Sequence, residues 1–201
     1  MTQAQAKNER YQCQFKGIVD KSSPEWLDGL RRQGMKDFSS LGFPTARRGN
    51  EAWKYTNIDA IANGEFDLAP DSETTLDQLK ASAPWDDGWT TLVFVNGRYS
   101  AELSNASKDP SVTVGSLSEF TRRDGKVLES HLASLTPTNE DGFAALNTAF
   151  VQDGAVVHIA AGVDLESPVH LLFVSTENDT PFIAHPRVLV VAGKESNSAI
   201  V

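Results

Sequence analysis

AVVHIA (155–160), VHLLFVS (169–175) and HPRVLVVAG (185–193), separated by AGVDLESP (161–168) and TENDTPF (176–182) and followed by SNSAIV (196–201), decide the reading of the fold. Alternate side chains of a strand face opposite sides, so Val157, Ile159, Val169, Leu171, Phe173, Val188 and Val190 are expected to line one continuous interior. The close, regular spacing of short strands predicts a solenoid, the start of a parallel, right-handed β-helix. A terminal coil normally carries a polar cap, and Val201 offers none, so the β-helix is expected to be truncated there. Its open strand edges then invite self-association.

Working back from this run, Asp153-Gly154 turns the chain into the first strand. Ahead of it, Thr138 to Asp141 supply capping chemistry for a helix with Phe143, Leu146, Asn147 and Phe150 at helical spacing. TLVFV, Asn96-Gly97 and RYSAEL predict a hairpin with a type I′ turn, and SVTV (111–114) a further short strand. Nearer the start, Ser22 or Ser23 is placed to cap a helix with Pro24 in its first turn. Leu27, Leu30, Phe38 and Leu41 fall near one face of it, and Gly42 ends it. A shorter helix is predicted over Thr74–Ser82, with Pro84 as its stop. The stretch between, 43–70, reads as irregular and packed. The expected architecture is mainly β with an α-helical N-terminal region: residues 1–86 a helical domain carrying the WKYT segment, residues 87–201 the first part of the β-helix.

Composition limits the function. The 201 residues, 40% hydrophobic, can build real cores. Eighteen basic against 27 acidic residues leave a net charge of −9, which disfavours nucleic acid as a partner. The single cysteine, Cys13, permits no intrachain disulfide and no cysteine metal site, and fits a reducing, cytoplasmic setting. MTQAQAKNERYQ lacks the pattern of a secretion signal, and no apolar run approaches the roughly 20 residues of a membrane span, so a soluble protein is expected.

Four groups of residues invite chemistry. His158, His170 and His185 lie in or beside predicted strands, and imidazoles are common metal ligands. Their separations of 12 and 15 residues are unequal, however, and no carboxylate recurs with them, which favours satisfied or solvent-facing histidines. Gly193-Lys194-Glu195-Ser196 has the look of a phosphate-loop end but carries Val188 and Glu195 where that motif requires Gly and Ser/Thr; a polar turn is the better reading. Arg47, Arg48, Glu51, Trp53, Lys54 and Tyr55 form either a recognition surface or, as favoured here, a segment pinned to the core by Trp53 and Tyr55, with Glu51 paired to an arginine. The acidic pairs Asp86-Asp87, Glu140-Asp141 and Glu177/Asp179 sit at turns and helix starts, where solvated or capping acids are the rule. No pairing of nucleophile and base stands out, and nothing demands an enzyme.

Taken in order, FPTARRGNEAWKYTNI (43–58), FVNGRYSAELS (94–104), DGFAALNTAFVQDGAVVHIAAGVDLESPVHLLFV (141–174) and PRVLVVAG (186–193) resemble the SufB/SufD family of iron–sulfur cluster assembly proteins, on its SufD side. The first block is similar to that family's P-T-R-x-x-E-x-W-K-Y-T signature. The resemblance implies a catalytically silent scaffold of the SufBCD complex, with a helical N-terminal region and a central β-helix. It implies SufB and the ABC-type ATPase SufC as partners, and a cluster and ATP handled by the full complex. The cysteine and histidine implicated in cluster chemistry would lie beyond Val201, in the part of the family's length that this chain does not reach. Cys13 and the three strand histidines do not correspond to them, so the resemblance assigns no catalytic, cofactor-binding or metal residue. The alternatives are a polysaccharide-active β-solenoid enzyme, disfavoured by the missing secretion signal and acidic row, and a stand-alone interaction module built on Trp53 and Tyr55.

Overall fold

The computed structural model describes residues 3–19, 23–44, 51–105, 109–123 and 125–201. The chain begins with α1 (Gln3–Val19) and α2 (Glu25–Leu41), a 3₁₀ turn at Glu51–Trp53, and α3 (Asp59–Asn63). β1 (Asp67–Leu68), α4 (Leu76–Ser82), β2 (Thr90–Val95), β3 (Arg98–Asn105) and β4 (Val112–Ser116) follow. The rest comprises α5 (Leu117–Arg123), α6 (Gly125–His131), α7 (Gly142–Phe150), β5 (Gly154–Ile159), β6 (Val169–Val174), β7 (Phe182–Ile183) and β8 (Arg187–Ala192). The chain divides into two compact units, residues 1–68 with 126–151, and residues 69–125 with 152–201. No helix among the described residues is long and apolar enough to cross a membrane.

The first unit is helical, and α7 is its centre. On α2 the buried positions Leu27, Arg31, Gly34, Met35 and Phe38 recur at the period of a helix, so one face of α2 turns inward. That face packs on α7, which buries Ala145, Leu146, Thr148, Ala149 and Phe150. The two helices approach closely because Gly34 has no side chain: a Cβ there would sit 2.7 Å from the Ala149 nitrogen and 2.8 Å from the Ala145 oxygen. Tyr11 meets Phe38, Phe43 and Phe150 edge-on, with ring centroids 5.4, 6.1 and 6.0 Å apart, and closes the core from α1. Asp141 caps α7 by accepting the Ala144 N–H at 2.9 Å, as its position predicts. Ser23, one of the two residues expected to cap α2, does not do so. Ser23 accepts a hydrogen bond from Arg31 instead, at 2.7 Å, and Ser22 lies outside the described residues. Of the apolar face expected on α2, Leu27 and Phe38 are buried while Leu41 is exposed.

The second unit holds two three-stranded sheets, ordered β3-β2-β6 and β4-β5-β8. β2 and β3 form the predicted hairpin about Asn96-Gly97, both residues at positive φ (51° and 82°), the geometry a type I′ turn demands. β2 pairs in parallel with β6, from Thr90 opposite Val169 to Val95 opposite Val174. β5 pairs antiparallel with β4 and parallel with β8. Leu92 and Phe94 on one face of β2 join Ala155 in a buried cluster, while Val93 and Val95 on the other face meet Leu79 of α4. β2 is thus covered on both sides, which is why TLVFV reads as a nearly unbroken apolar run.

The expected fold class is corrected by these pairings. The described residues contain seven α-helices and small mixed sheets of two or three strands, a mixed α/β arrangement and not a parallel β-helix. β5 and β6, consecutive in sequence, belong to different sheets. The continuous interior does not form either. Val157, Ile159 and Val169 share a buried cluster with Leu171 at its margin, but Phe173, Val188 and Val190 are 38%, 46% and 42% exposed. Period-two alternation identifies a strand and its faces; it carries no information about which strand pairs with which.

Candidate functional site

The two most distinctive sequence blocks meet in the first unit. Phe143, at the start of α7, stacks at a tilt on Trp53 with centroids 5.3 Å apart, and on Phe43 at 5.3 Å. Trp53 is half-buried by this contact, and it anchors the WKYT segment as expected. Tyr55 does not: it is 89% exposed, with the Lys54 ammonium 5.4 Å from its ring centroid. Glu51 pairs with Lys54 at 3.3 Å, and Arg47 and Arg48, the arginines expected beside it, lie outside the described residues. The aromatic pair thus splits into one packing residue and one presented to solvent.

Arg31 was not singled out by sequence reasoning. It is 4% exposed, donates to the Val151 carbonyl at 2.9 Å, to Ser23 at 2.7 Å and to Asp28 at 3.1 Å, and so ties α2 to the residue that follows α7. Burial pulls its guanidinium below the usual arginine range, and the hydrogen bond and charge of Asp28 oppose that. The only sequence signal was Asp28 three residues earlier on the same helix face.

In the second unit two polar residues, legible in the sequence only as turn formers, organise the strands. Asp153 accepts the Tyr99 N–H at 2.9 Å through Oδ2; its Oδ1 accepts from Ser116 Oγ at 2.6 Å, Ser118 N–H at 3.2 Å and Gly154 N–H at 2.9 Å. One carboxylate thereby joins β3, the β4–α5 junction and β5. Asp153→Ala strands these donors and is expected to lower stability by about 3 kcal/mol. The fall would be read from urea unfolding followed by Trp85 and Trp89 fluorescence; a loss below about 1 kcal/mol would show that the carboxylate is dispensable. Asn96 is buried, and its side chain grips two loops: Nδ2 donates to the Pro70 carbonyl at 3.2 Å and Thr176 Oγ1 at 3.0 Å, while Oδ1 accepts the Thr176 N–H at 3.0 Å.

The three histidines occupy separate settings. His158 lies on β5 opposite Thr113, half-buried. His170 is 4% exposed on β6, edge-on to Trp89 and Trp85 at centroid distances of 5.4 and 6.2 Å, with Nδ1 3.4 Å from Thr91 Oγ1; burial pushes its basicity down. His185 precedes β8, and burial lowers its imidazole to about 4. Among the described residues, no three His, Cys, Asp or Glu side chains gather as metal ligands do. Cys13 is exposed on α1.

Gly193–Ser196 is a polar turn closed on itself. The Ser196 N–H and hydroxyl donate to the Gly193 carbonyl at 3.2 and 2.7 Å, and the Gly193 N–H donates to the Ile159 carbonyl at 2.8 Å. These amides are engaged within the protein rather than aimed at a phosphate. The acidic pairs serve turns and caps. Asp86 accepts the Gly88 N–H at 2.7 Å. Asp87 accepts from Lys80 at 2.7 Å and from Trp85 Nε1 at 3.0 Å, which hold its carboxyl below the usual range. Asp141 caps α7. Glu140, Glu177 and Asp179 are exposed.

Residues 1–171 match the family described as SufBD protein N-terminal region. An iron–sulfur cluster assembly SufBD family protein of Synechocystis sp. is 35% identical over 174 residues, 85% of this chain and 37% of the relative. The iron–sulfur cluster assembly protein SufD of Bacillus subtilis is 28% identical over 184 residues, covering 89% of this chain and 41% of its own. SufB of the same organism is 21% identical over 193 residues, 88% and 40% of the two chains. The chain thus spans 37–41% of the length of these curated relatives. The matched span contains both the Trp53 segment and α7, whose rings meet in the core of the first unit, and with that span the chain belongs to the SufBD family, in its N-terminal region.

Proposed function

We infer that the chain acts in iron–sulfur cluster assembly, as part of a non-catalytic scaffold subunit in the cytoplasm. The observation that carries this reading is the family match over residues 1–171, supported by relatives whose names state cluster assembly. On the same reading the partners are SufB and the ATPase SufC, and the cluster and ATP are handled by the complex, with none of their ligands supplied by this chain.

Deleting the gene is expected to lower the activity of cytoplasmic iron–sulfur enzymes such as aconitase, with recovery on re-expression. Unchanged activity under conditions where no other assembly system operates would sink the proposal. Affinity purification from the same cells is expected to bring down SufB and SufC together. The purified chain itself is expected neither to hydrolyse ATP nor to keep an iron–sulfur chromophore after reconstitution; a stable chromophore would overturn the reading that this chain supplies no cluster ligands, and ATP hydrolysis the non-catalytic one.

A further inference from the structure

The sequence contains Asn-Gly twice, at Asn63-Gly64 and at Asn96-Gly97. We propose that Asn63 is a self-modification site, where the chain loses ammonia and gains an aspartyl or isoaspartyl residue, while the fold holds Asn96 unreactive. Water is the only co-reactant. The backbone nitrogen of the following glycine gives up its proton and attacks the asparagine Cγ; the bond from Cγ to the side-chain nitrogen breaks, ammonia leaves, and a five-membered succinimide remains. Water then opens the ring at one of its two carbonyls, giving aspartate or isoaspartate with no change in oxidation state. A following glycine permits the attack because it has no Cβ to obstruct it.

The two sites share this chemistry and differ in exposure and in the element that carries them. Asn96 is 3% exposed, and both ends of its amide are hydrogen-bonded, to Pro70 and Thr176. Swinging Cγ onto the Gly97 nitrogen breaks those bonds, and hydrolysis requires water where none has access. Reaction there has to wait for local opening of the turn. Asn63 is exposed, and it is the last residue of a five-residue helix, a length with little stability of its own. The Gly64 N–H, the group that becomes the nucleophile, donates to the Ile61 carbonyl over a long 3.3 Å bond.

The modification has structural consequences. A new carboxylate at the C-terminal end of α3 is unfavourable against the helix dipole. Isoaspartate also lengthens the main chain just before Gly64, where the Phe66 ring and the Ala60 oxygen, 2.7 Å from a hypothetical Cβ, already leave no room. Phe66 is the residue whose carbonyl accepts from Gln14, and its neighbours Glu65 and Asp67 pair with Arg10, so α1 senses the change. The isoaspartyl product is the substrate class of carboxyl methyltransferases that repair such residues.

The test is to age the purified protein in heavy-oxygen water and map its peptides by mass spectrometry. The Asn63 peptide is expected to turn acidic and take up label, with Asn96 converting at least about tenfold more slowly because its reaction is gated by opening. In urea the two rates are expected to come within about twofold of each other, since the same dipeptide chemistry is then unprotected. Asn63→Gln is expected to remove the fast conversion and leave Asn96 amidated. Native rates at Asn96 equal to or above those at Asn63, or an Asn63 that stays amidated, would overturn the proposal.

Discussion

Phe150→Ala is expected to cost the first unit about 4 kcal/mol of unfolding free energy, as removal of a buried phenyl ring generally does. Phe150 is 1% exposed at the end of α7, and its ring meets Tyr11 and Phe15 edge-on at 6.0 and 6.1 Å. The loss combines the transfer energy of the ring, the edge contacts with two aromatics, and a cavity that cannot collapse, because Gly34 already holds α2 at contact distance from α7. Trp26 and Trp53 lie in the first unit and Trp85 and Trp89 in the second, so urea titrations of variants keeping one pair can follow each unit separately. A loss below about 1.5 kcal/mol would mean that the helices close over the gap.

Mild acid is the second large perturbation expected, and it acts on the second unit. Burial lowers the His185 imidazole from 6.5 to about 4. Between those values the unfolded chain holds a proton that the folded chain refuses, so the stability due to neutral His185 is complete above pH 6.5 and drains away as pH falls. By pH 4 the loss amounts to about 3 kcal/mol. His170, also depressed by burial, acts in the same direction. Asp37 and Asp109, whose carboxyls are lowered by hydrogen bonds from Thr138 and Ser111 respectively, matter only as pH falls below 3.8, and so leave the upper window to the histidines. Unfolding at about pH 7 and about pH 4.5 is expected to show a steep difference that His185→Gln largely removes. A wild-type stability flat across that interval would contradict the burial of His185.

What the sequence disclosed follows from the range of the forces involved. The Asn96-Gly97 hairpin, the Asp141 cap on α7 and the end of α2 at Gly42 were all legible, because each rests on residues within a turn or two of one another. α1, α5 and α6 were not. QAQAKNERYQCQFKGIV and GKVLESH carry too thin an apolar stripe to announce a helix; among the described side chains the first buries Tyr11 and Ile18 and the second Leu128. The solenoid expectation failed at the same limit, since partners such as β2 with β6 stand some 80 residues apart. At the candidate site, Trp53 was read correctly as an anchor from its setting among turn formers, yet Tyr55, two residues away, is presented outward. Asn96 and Asp153 were visible only as turn residues because their other partners, Thr176 and Tyr99, lie 80 and 54 residues away.

The close seat of α2 on α7 also sets an order of events during synthesis. α2 ends at Leu41, but the helix that completes its core ends at Phe150, about 110 residues later. At roughly 5–20 residues per second, a ribosome needs on the order of 5–20 s to supply it. Throughout that interval Met35 and Phe38 have only α1 and Phe43 to pack against, and only after α7 emerges can the first unit close. Nascent chains stalled before and after residue 151 would differ sharply in protease resistance, and the earlier ones are the natural clients of a chaperone that recognises short apolar helices.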